Sequence, residues 1–433
     1  MRKRSTATPA RHSHNPIVRY FRVLGPGLVT GAADDDPSGI TAYSVAGASL
    51  GHSMLWMAWV TYPLMAAIQL VCARIGMVSG QGLAGAIRTR YPRPFLYAAC
   101  VVLLAANVFN IGADLAGMAD AVEMVTGLSS HIFVPVFGLV MLVGTVYLRY
   151  EVFARYLKWL TAALFAYIAT AFLARPDWHL TLTATLVPSF VWKREWIATF
   201  VGILGTTISP YLFFWQASQE VEEERAKGRS TLAARRGATA HELRDARIDV
   251  NVGMFFSNVV MYFIILTTAS TLYRSGLRDI ETSRQAAEAL RPLAGEWAYL
   301  LFTVGIVGTG LLSVPILAGS ASFAVAELFE WRSGLDLRPG QAWRFYVVIV
   351  MSFVAGMAFD LFGLNPIRLL VFSAVLNGLL APPLMILIML VANNRAIMGK
   401  HVNGFWLNVL GWTATALMTA AAVAYFVSLR ATR

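Results

Sequence analysis

Ala33-Asp34-Asp35-Asp36-Pro37-Ser38-Gly39 interrupts an apolar run that otherwise extends from roughly Val23 to Leu50. A helix crossing a bilayer needs about 20 apolar residues. Carboxylates at that depth are costly unless they face a cation, a partner or water. Proline and glycine free backbone groups at the same depth, which is tolerated only where the break lines a cavity. The stretch therefore reads as a helix broken at mid-membrane, at Pro37, around a cation-binding site with Asp36 at its centre.

The rest of the chain fits a membrane setting. It has 433 residues, 57% of them hydrophobic and 14% charged, with a mean hydropathy of +0.59. This predicts an all-α polytopic membrane protein rather than a soluble enzyme. About eleven spans are expected, at roughly 23–50, 53–77, 95–118, 131–148, 152–174, 196–218, 249–272, 297–328, 342–360, 367–392 and 405–429. The formal net charge of +11 is explained by basic residues concentrated in cytoplasmic loops. No basic, aromatic-rich module points to nucleic acid. That bias predicts a cytoplasmic N-terminus, with residues 1–22 a basic cytosolic tail, and an integral protein of the bacterial inner membrane. Cys72 and Cys100 lie in apolar runs and read as packing residues. Between the sixth and seventh spans, residues 219–247 read as a solvated cytosolic insert, acidic at first and then basic.

A second interruption matches the first. Gly205-Thr206-Thr207-Ile208-Ser209-Pro210-Tyr211 breaks the sixth span at Pro210. Each break opens a block of five predicted spans, and an odd number inverts the second block relative to the first. The expected organisation is a first repeat over 23–174, an extracellular loop over 175–195, a second inverted repeat over 196–392, and a loop and extra span over 393–433. Paired breaks in inverted repeats point to a transporter's midplane site.

The chemistry at the breaks is oxygen chemistry. The C-terminal end of a half-helix offers carbonyls with partial negative charge. Asp36 adds a formal charge, and the sixth span offers the Thr206 carbonyl and the hydroxyls of Thr207 and Ser209. The seven histidines lie in tails, loops or span ends, and no thiolate lies near either break. An all-oxygen site suits hard cations such as Mg²⁺, Ca²⁺ or Mn²⁺. Asp34 and Asp35 have two readings each, lining the same cavity or bonding the broken backbone. Asp114, inside the third span, reads as a proton or salt-bridge site or a member of a buried polar network. Asn377, in the tenth span, is placed within reach of the cavity.

Further motifs carry a resemblance. Gly25-Pro26-Gly27, Asp36-Pro37, Ala46-Gly47-Ala48, Leu55-Trp56, Gln69, Ala73-Arg74, Gly80-Gln81-Gly82-Leu83-Ala84 and Tyr91-Pro92 fall in the order seen in the Nramp divalent-metal transporters. Asp114-Leu115-Ala116 and the sixth-span break continue it. The resemblance implies the LeuT-like fold, with two inverted five-helix repeats, an eleventh helix and alternating access. It implies a transported divalent cation with no resident cofactor, and the bilayer as the only other partner of what reads as a monomer.

Departures from the family pattern concern the ligands. Where its transition-metal members carry Asp-Pro-Gly-Asn, this chain has Asp36-Pro37-Ser38-Gly39, so Gly39 replaces an asparagine ligand. Ser209 stands for the family's methionine and Tyr211 for its histidine. Gly117 and Ala374 replace an acid and a glutamine. The pattern looks like the Nramp-related magnesium transporters, a branch without the sulfur ligand. The leading expectation is uptake of partly hydrated Mg²⁺, with Mn²⁺ as a further substrate. The membrane potential, worth about 2.3 kcal/mol per charge per 100 mV, suffices without strict proton coupling. The alternatives are a proton-coupled Mn²⁺/Fe²⁺ transporter of the Nramp type and, more remotely, an organic-solute transporter of the same fold. No nucleophile–base pair or phosphate loop points to an enzyme.

Overall fold

The computed structural model describes residues 25–147 and 163–431. The expected N-terminal tail and the first part of the fifth span, up to residue 162, lie outside the described residues. The principal elements are helical: α1 (Pro26–Asp34), α2 (Pro37–Leu50), α3 (Met57–Ser79), α4 (Arg93–Thr126), α5 (Ser130–Tyr147), α6 (Phe165–Leu173), α7 (Arg194–Thr207), α8 (Pro210–Ala226), α9 (Ala240–Thr268), α10 (Ala298–Leu328), α11 (Trp343–Ala358), α12 (Pro366–Ala392) and α13 (Phe405–Ala431).

Both expected breaks are present, and they share a local cause. A residue preceding proline is pushed out of the helical region towards extended backbone. Asp36, before Pro37, has φ −68° and ψ 169°. Ser209, before Pro210, has φ −77° and ψ 127°. Each proline then occupies the first turn of a new helix, where its missing N–H costs nothing. Pro63, Pro135, Pro315 and the pair Pro382-Pro383 sit instead inside continuous helices. Proline alone therefore does not make the break; the polar residues around Pro37 and Pro210, which re-bond the freed backbone, accompany it.

Among the described residues nine helices are long and apolar enough to cross a membrane. The broken first span is not among them, whereas the broken sixth is included as one stretch, Arg194–Ala226. Two boundaries differ from expectation. The third span runs on to Thr126, and the seventh begins at Ala240 inside the stretch read as an insert. A capping box at Thr239 and Glu242 starts that helix early. The insert is also less solvated than expected. Glu220 and Glu224 are buried, the first bonded to Gln216 and the second facing Lys227 and Arg229. The loop over 175–195 contains a helix of its own, Trp178–Leu186.

The broken helices occupy the centre. α1 packs on α9 with almost no side chain between them, since a Cβ on Gly31 would collide with the Gly253 backbone. α7 packs equally closely on α12, where Gly205 meets the backbones of Ala374 and Gly378. Small residues let helix backbones approach in this way, so that dispersion contacts replace the missing hydrophobic drive in lipid. α5, α11 and α13 lie outside and present apolar side chains such as Val140, Val143, Val350, Met351, Phe405 and Val423 outward.

The free N-terminus of α1 is held by one carboxylate. Asp249 of α9 accepts from the Gly25, Gly27 and Leu28 N–H groups at 2.8, 2.6 and 3.1 Å. Pro26 between them has no N–H to satisfy. A turn later the Thr30 hydroxyl lies 2.7 Å from both the Pro26 carbonyl and Gln216 Oε1 of α8. Charge-assisted bonds of this kind exceed ordinary caps in strength. Asp249→Ala should therefore cost about 2 kcal/mol and loosen α1 before any other helix. Thermal unfolding, together with alkylation of a Thr30→Cys substitution in both backgrounds, measures this; unchanged alkylation would show that Asp249 does not hold α1 in place.

Candidate functional site

The first break turns its polar groups inward. Asp36, at the N-cap of α2, accepts from the Ser38 hydroxyl and the Gly39 N–H through Oδ1, each at 2.7 Å. Its other oxygen, Oδ2, has only the Tyr211 hydroxyl at 3.4 Å. That hydroxyl donates at 2.7 Å to the Ala33 carbonyl, one of those freed at the end of α1. Tyr211, from the first turn of α8, thus ties the two breaks together. A Cβ at Gly39 would sit 3.3 Å from the Asp34 carbonyl oxygen and 3.4 Å from Asp36 Oδ1, so position 39 faces the broken backbone directly.

The neighbouring acids diverge from Asp36. Asp34 Oδ2 accepts from Ser257 of α9 at 2.6 Å, and Asp35 Oδ1 lies 3.4 Å from the same hydroxyl. Asp114 of α4 accepts from Ser313 of α10 at 3.3 Å and interacts with the Ser38 backbone and the Asp36 carboxylate. All four carboxylates are buried, and none has a lysine or arginine partner among the described residues. Asp34 Oδ1 and Asp114 Oδ1 have no hydrogen-bond partner. Buried carboxylate oxygens left in this state are costly unless a cation compensates them.

The second break is closed on itself. Ser209 Oγ lies 2.5 Å from the Thr206 carbonyl and 3.0 Å from that of Gly205. The Thr206 hydroxyl meets Tyr43 of α2 at 3.1 Å, and the Thr207 hydroxyl bonds back to the Ile203 carbonyl at 2.9 Å. The Thr206 hydroxyl thus reaches Tyr43 of α2 while also lying 3.0 Å from the Ile203 carbonyl of its own helix, whereas the Thr207 hydroxyl bonds only within its helix. Asn377 is buried on α12 beside Gly378, which contacts α7, but no hydrogen bond among the described residues joins it to either break. Among the described residues no three His, Cys, Asp or Glu side chains converge to hold an ion in this arrangement. The acids surround the break without yet pointing at one centre.

Several members of the site were not legible beforehand. Ser257 is the shared partner of two acids, and its only trace in sequence is a polar Ser257-Asn258 step in an apolar span. Tyr43 and Ser313 give no signal, since each is one polar residue on a helix face. Met118 likewise gives no signal in the sequence. Its Sδ and the Pro37 ring both pack over Gly310, which brings a thioether to the edge of the first break. It follows Asp114 by one turn of α4, on the same face. Position 117, where the family pattern has an acid, faces Leu370 of α12.

Comparisons with known proteins agree on the fold. The chain is 26% identical over 407 residues to the divalent metal cation transporter MntH of Pectobacterium carotovorum, with 92% of each chain covered. It is 26% identical over 426 residues to that of Yersinia enterocolitica, with 95% of each covered. In three dimensions it resembles the Eremococcus coleocola manganese transporter, crystallised with an aromatic bis-isothiourea substituted compound, at TM-score 0.74 and 18% identity. That match covers 96% of this chain and 87% of the other. Mhp1, a nucleobase-cation-symport-1 family transporter, shares the architecture at TM-score 0.59 and 13% identity, over 93% and 91% of the two chains. The architecture is thus the LeuT-like one. The profile of the Nramp family, described as natural resistance-associated macrophage protein-like, matches residues 27–428, and the chain belongs to that family.

Proposed function

We propose that this protein carries divalent metal cations across a membrane by alternating access, with Mn²⁺ its principal substrate and Asp36 the anchoring charge. The observation that carries the reading is the set of four buried carboxylates around a helix break with no basic partner. A transported cation supplies the missing charge. The relatives named above as divalent metal cation and manganese transporters support the same class of substrate. A thioether at the edge of the break supports Mn²⁺ over Mg²⁺, because a soft donor gives no advantage to Mg²⁺.

The proposed ligand set is Asp36, the Ala33 and Thr206 carbonyls, and Ser209, with Asp34, Asp35 and Asp114 as the surrounding negative field. Each first-named oxygen already has a partner in the conformation described. Binding therefore exchanges bonds rather than creating them. The Ser209 hydroxyl turns from the Thr206 carbonyl, Tyr211 releases Ala33, and the ion takes the oxygens they leave. Gly39 leaves room for water at the Asp34 carbonyl and is proposed as a gap in the shell rather than a ligand. Asn377 and Thr207 are proposed as cavity residues only.

Proton coupling fits the same charge balance. Four carboxylates that lose a metal ion must regain positive charge, and protons from one face can provide it. A pH-sensitive dye inside proteoliposomes, which acidifies in step with metal uptake, tests this directly.

A second reading, Mg²⁺ transport, is favoured by Ser209 in place of a sulfur ligand. A competition series with Mg²⁺, Mn²⁺, Ca²⁺ and Cd²⁺ in proteoliposomes separates the two. Mn²⁺ uptake resisting a hundredfold excess of Mg²⁺ is the expected result; inhibition at equal concentration would transfer the assignment to Mg²⁺. Asp36→Ala should abolish uptake of either ion while the protein remains monodisperse. Retained uptake would place the site elsewhere. Ser209→Met should raise Cd²⁺ and Mn²⁺ affinity relative to Mg²⁺ by about tenfold, the effect of one soft ligand worth about 1.4 kcal/mol. Met118→Leu should lower the same ratio, and equal ratios in both variants would remove sulfur from the account of selectivity.

A further inference from the structure

A second charged region lies far from the breaks in sequence and carries the opposite sign. A cavity of about 630 Å³ opens where the C-terminal end of α3, the turn preceding α4, the segment between α8 and α9, and the turn between α12 and α13 meet. The charge bias predicts this face to be cytoplasmic. Arg90, Arg236, Arg395, Lys400 and His401 line it, and no acidic residue does.

The walls are fixed by bonds that do not use these charges. The Gly237 N–H donates to the Val78 carbonyl at 2.9 Å, and Arg235 Nε to the Gly80 carbonyl at 3.2 Å. On the opposite side Arg74 donates to the His401 and Val402 carbonyls at 2.7 and 3.3 Å. The lining cations are left over from this construction. Arg90, Arg236, Arg395 and Lys400 form no ion pair among the described residues. Other basic residues of the same segment behave differently: Arg225 pairs with Glu222, and Lys227 and Arg229 with Glu224. Here three segments bring unpaired cations around one concavity. Burial first, and then the Lys400 and Arg74 charges, hold the His401 imidazole below its usual value.

We propose that this cavity binds a phosphate-bearing anion. The chemistry is that of arginine and lysine around phosphate oxygens, with Ser79, Gln81 and Thr89 as neutral donors. The volume suits a phosphorylated molecule rather than a bare inorganic ion. Two sources share that chemistry. A basic pocket at a membrane surface takes an anionic lipid headgroup, and one open to the cytoplasm takes a soluble phosphate compound.

The test uses the purified full chain. Thermal unfolding in neutral detergent at low salt is followed with sodium phosphate and with magnesium-free ATP, against chloride at equal ionic strength. It is then repeated in nanodiscs of phosphatidylcholine alone or mixed with phosphatidylglycerol. Stabilisation by ATP or phosphate in detergent assigns a soluble ligand; stabilisation only by phosphatidylglycerol assigns a lipid headgroup. In either arm each of Arg90→Gln, Arg236→Gln and Arg395→Gln should weaken the apparent affinity about fivefold, and the corresponding lysine substitutions should retain most of it. The wild-type titration decides the matter even if a glutamine variant misfolds. The proposal is overturned if no probe stabilises the wild-type protein, or if the glutamine variants respond as the wild type does.

Discussion

In hydrocarbon every backbone N–H and C=O needs a partner, and this constraint organises the centre of the protein. Two helices stop before a proline, and each leaves a turn of donors and acceptors exposed to that requirement. The solutions differ. At the first break a carboxylate does the capping, with Asp36 Oδ1 on the Gly39 N–H and the Ser38 hydroxyl. At the second a neutral hydroxyl suffices, with Ser209 folded back on Thr206 and Gly205. Tyr211 then joins the breaks through the Ala33 carbonyl. A broken pair of helices is thereby made into one polar unit, which could hold an ion without exposing raw backbone to lipid.

The same bonds explain how such a unit can be both stable and mobile. α1 is only nine residues long, so its place depends on its ends rather than its length. Asp249 and Gln216 hold one end and Tyr211 the other. Its flank lies against α9 through Gly27 and Gly31, with backbone on backbone. Glycine surfaces gain dispersion contacts but interlock little, and a helix held that way can leave as a rigid body once its end bonds are released. The bonds at its two ends, rather than interlocking side chains along its flank, are what fix α1 in the conformation described.

Sequence carried much of this and lost a definable part. The breaks were legible because proline coincides with acids and glycine at Asp34 to Gly39 and with hydroxyl residues at Thr206 to Pro210, and because an apolar background makes such coincidences visible. The spans were legible for the same reason. What sequence could not give was direction. Adjacent Asp34, Asp35 and Asp36 cannot all face one ion, but their partners are not written in sequence: Ser257 turns the first two towards α9 while Asp36 turns back onto α2. Thr207 and Asn377, read as cavity residues, have no hydrogen bond to the first break among the described residues. Ser257, Tyr43 and Met118 remained hidden because a single hydroxyl or thioether in a helix acquires meaning only from what faces it. The acidic segment from Glu220 read as solvated because its burial depends on Lys227 and Arg229 folding over it.

Charge balance then limits what the site can accept. Asp34 Oδ1 and Asp114 Oδ1 are unpartnered, and Asp36 Oδ2 has one long contact. An anionic substrate would meet repulsion from all three. A monovalent cation would leave most of the field uncompensated. A divalent ion, or an ion exchanged against protons, matches it best, and the geometry adds a condition. Because the acids diverge in the conformation described, several carboxylates do not grip one ion there; on the proposed ligand set a single carboxylate and carbonyls would hold it while the others act through space. Such a site attracts strongly and binds loosely. A transporter needs that combination, since an ion caged by three or four carboxylates would be slow to leave on the far side.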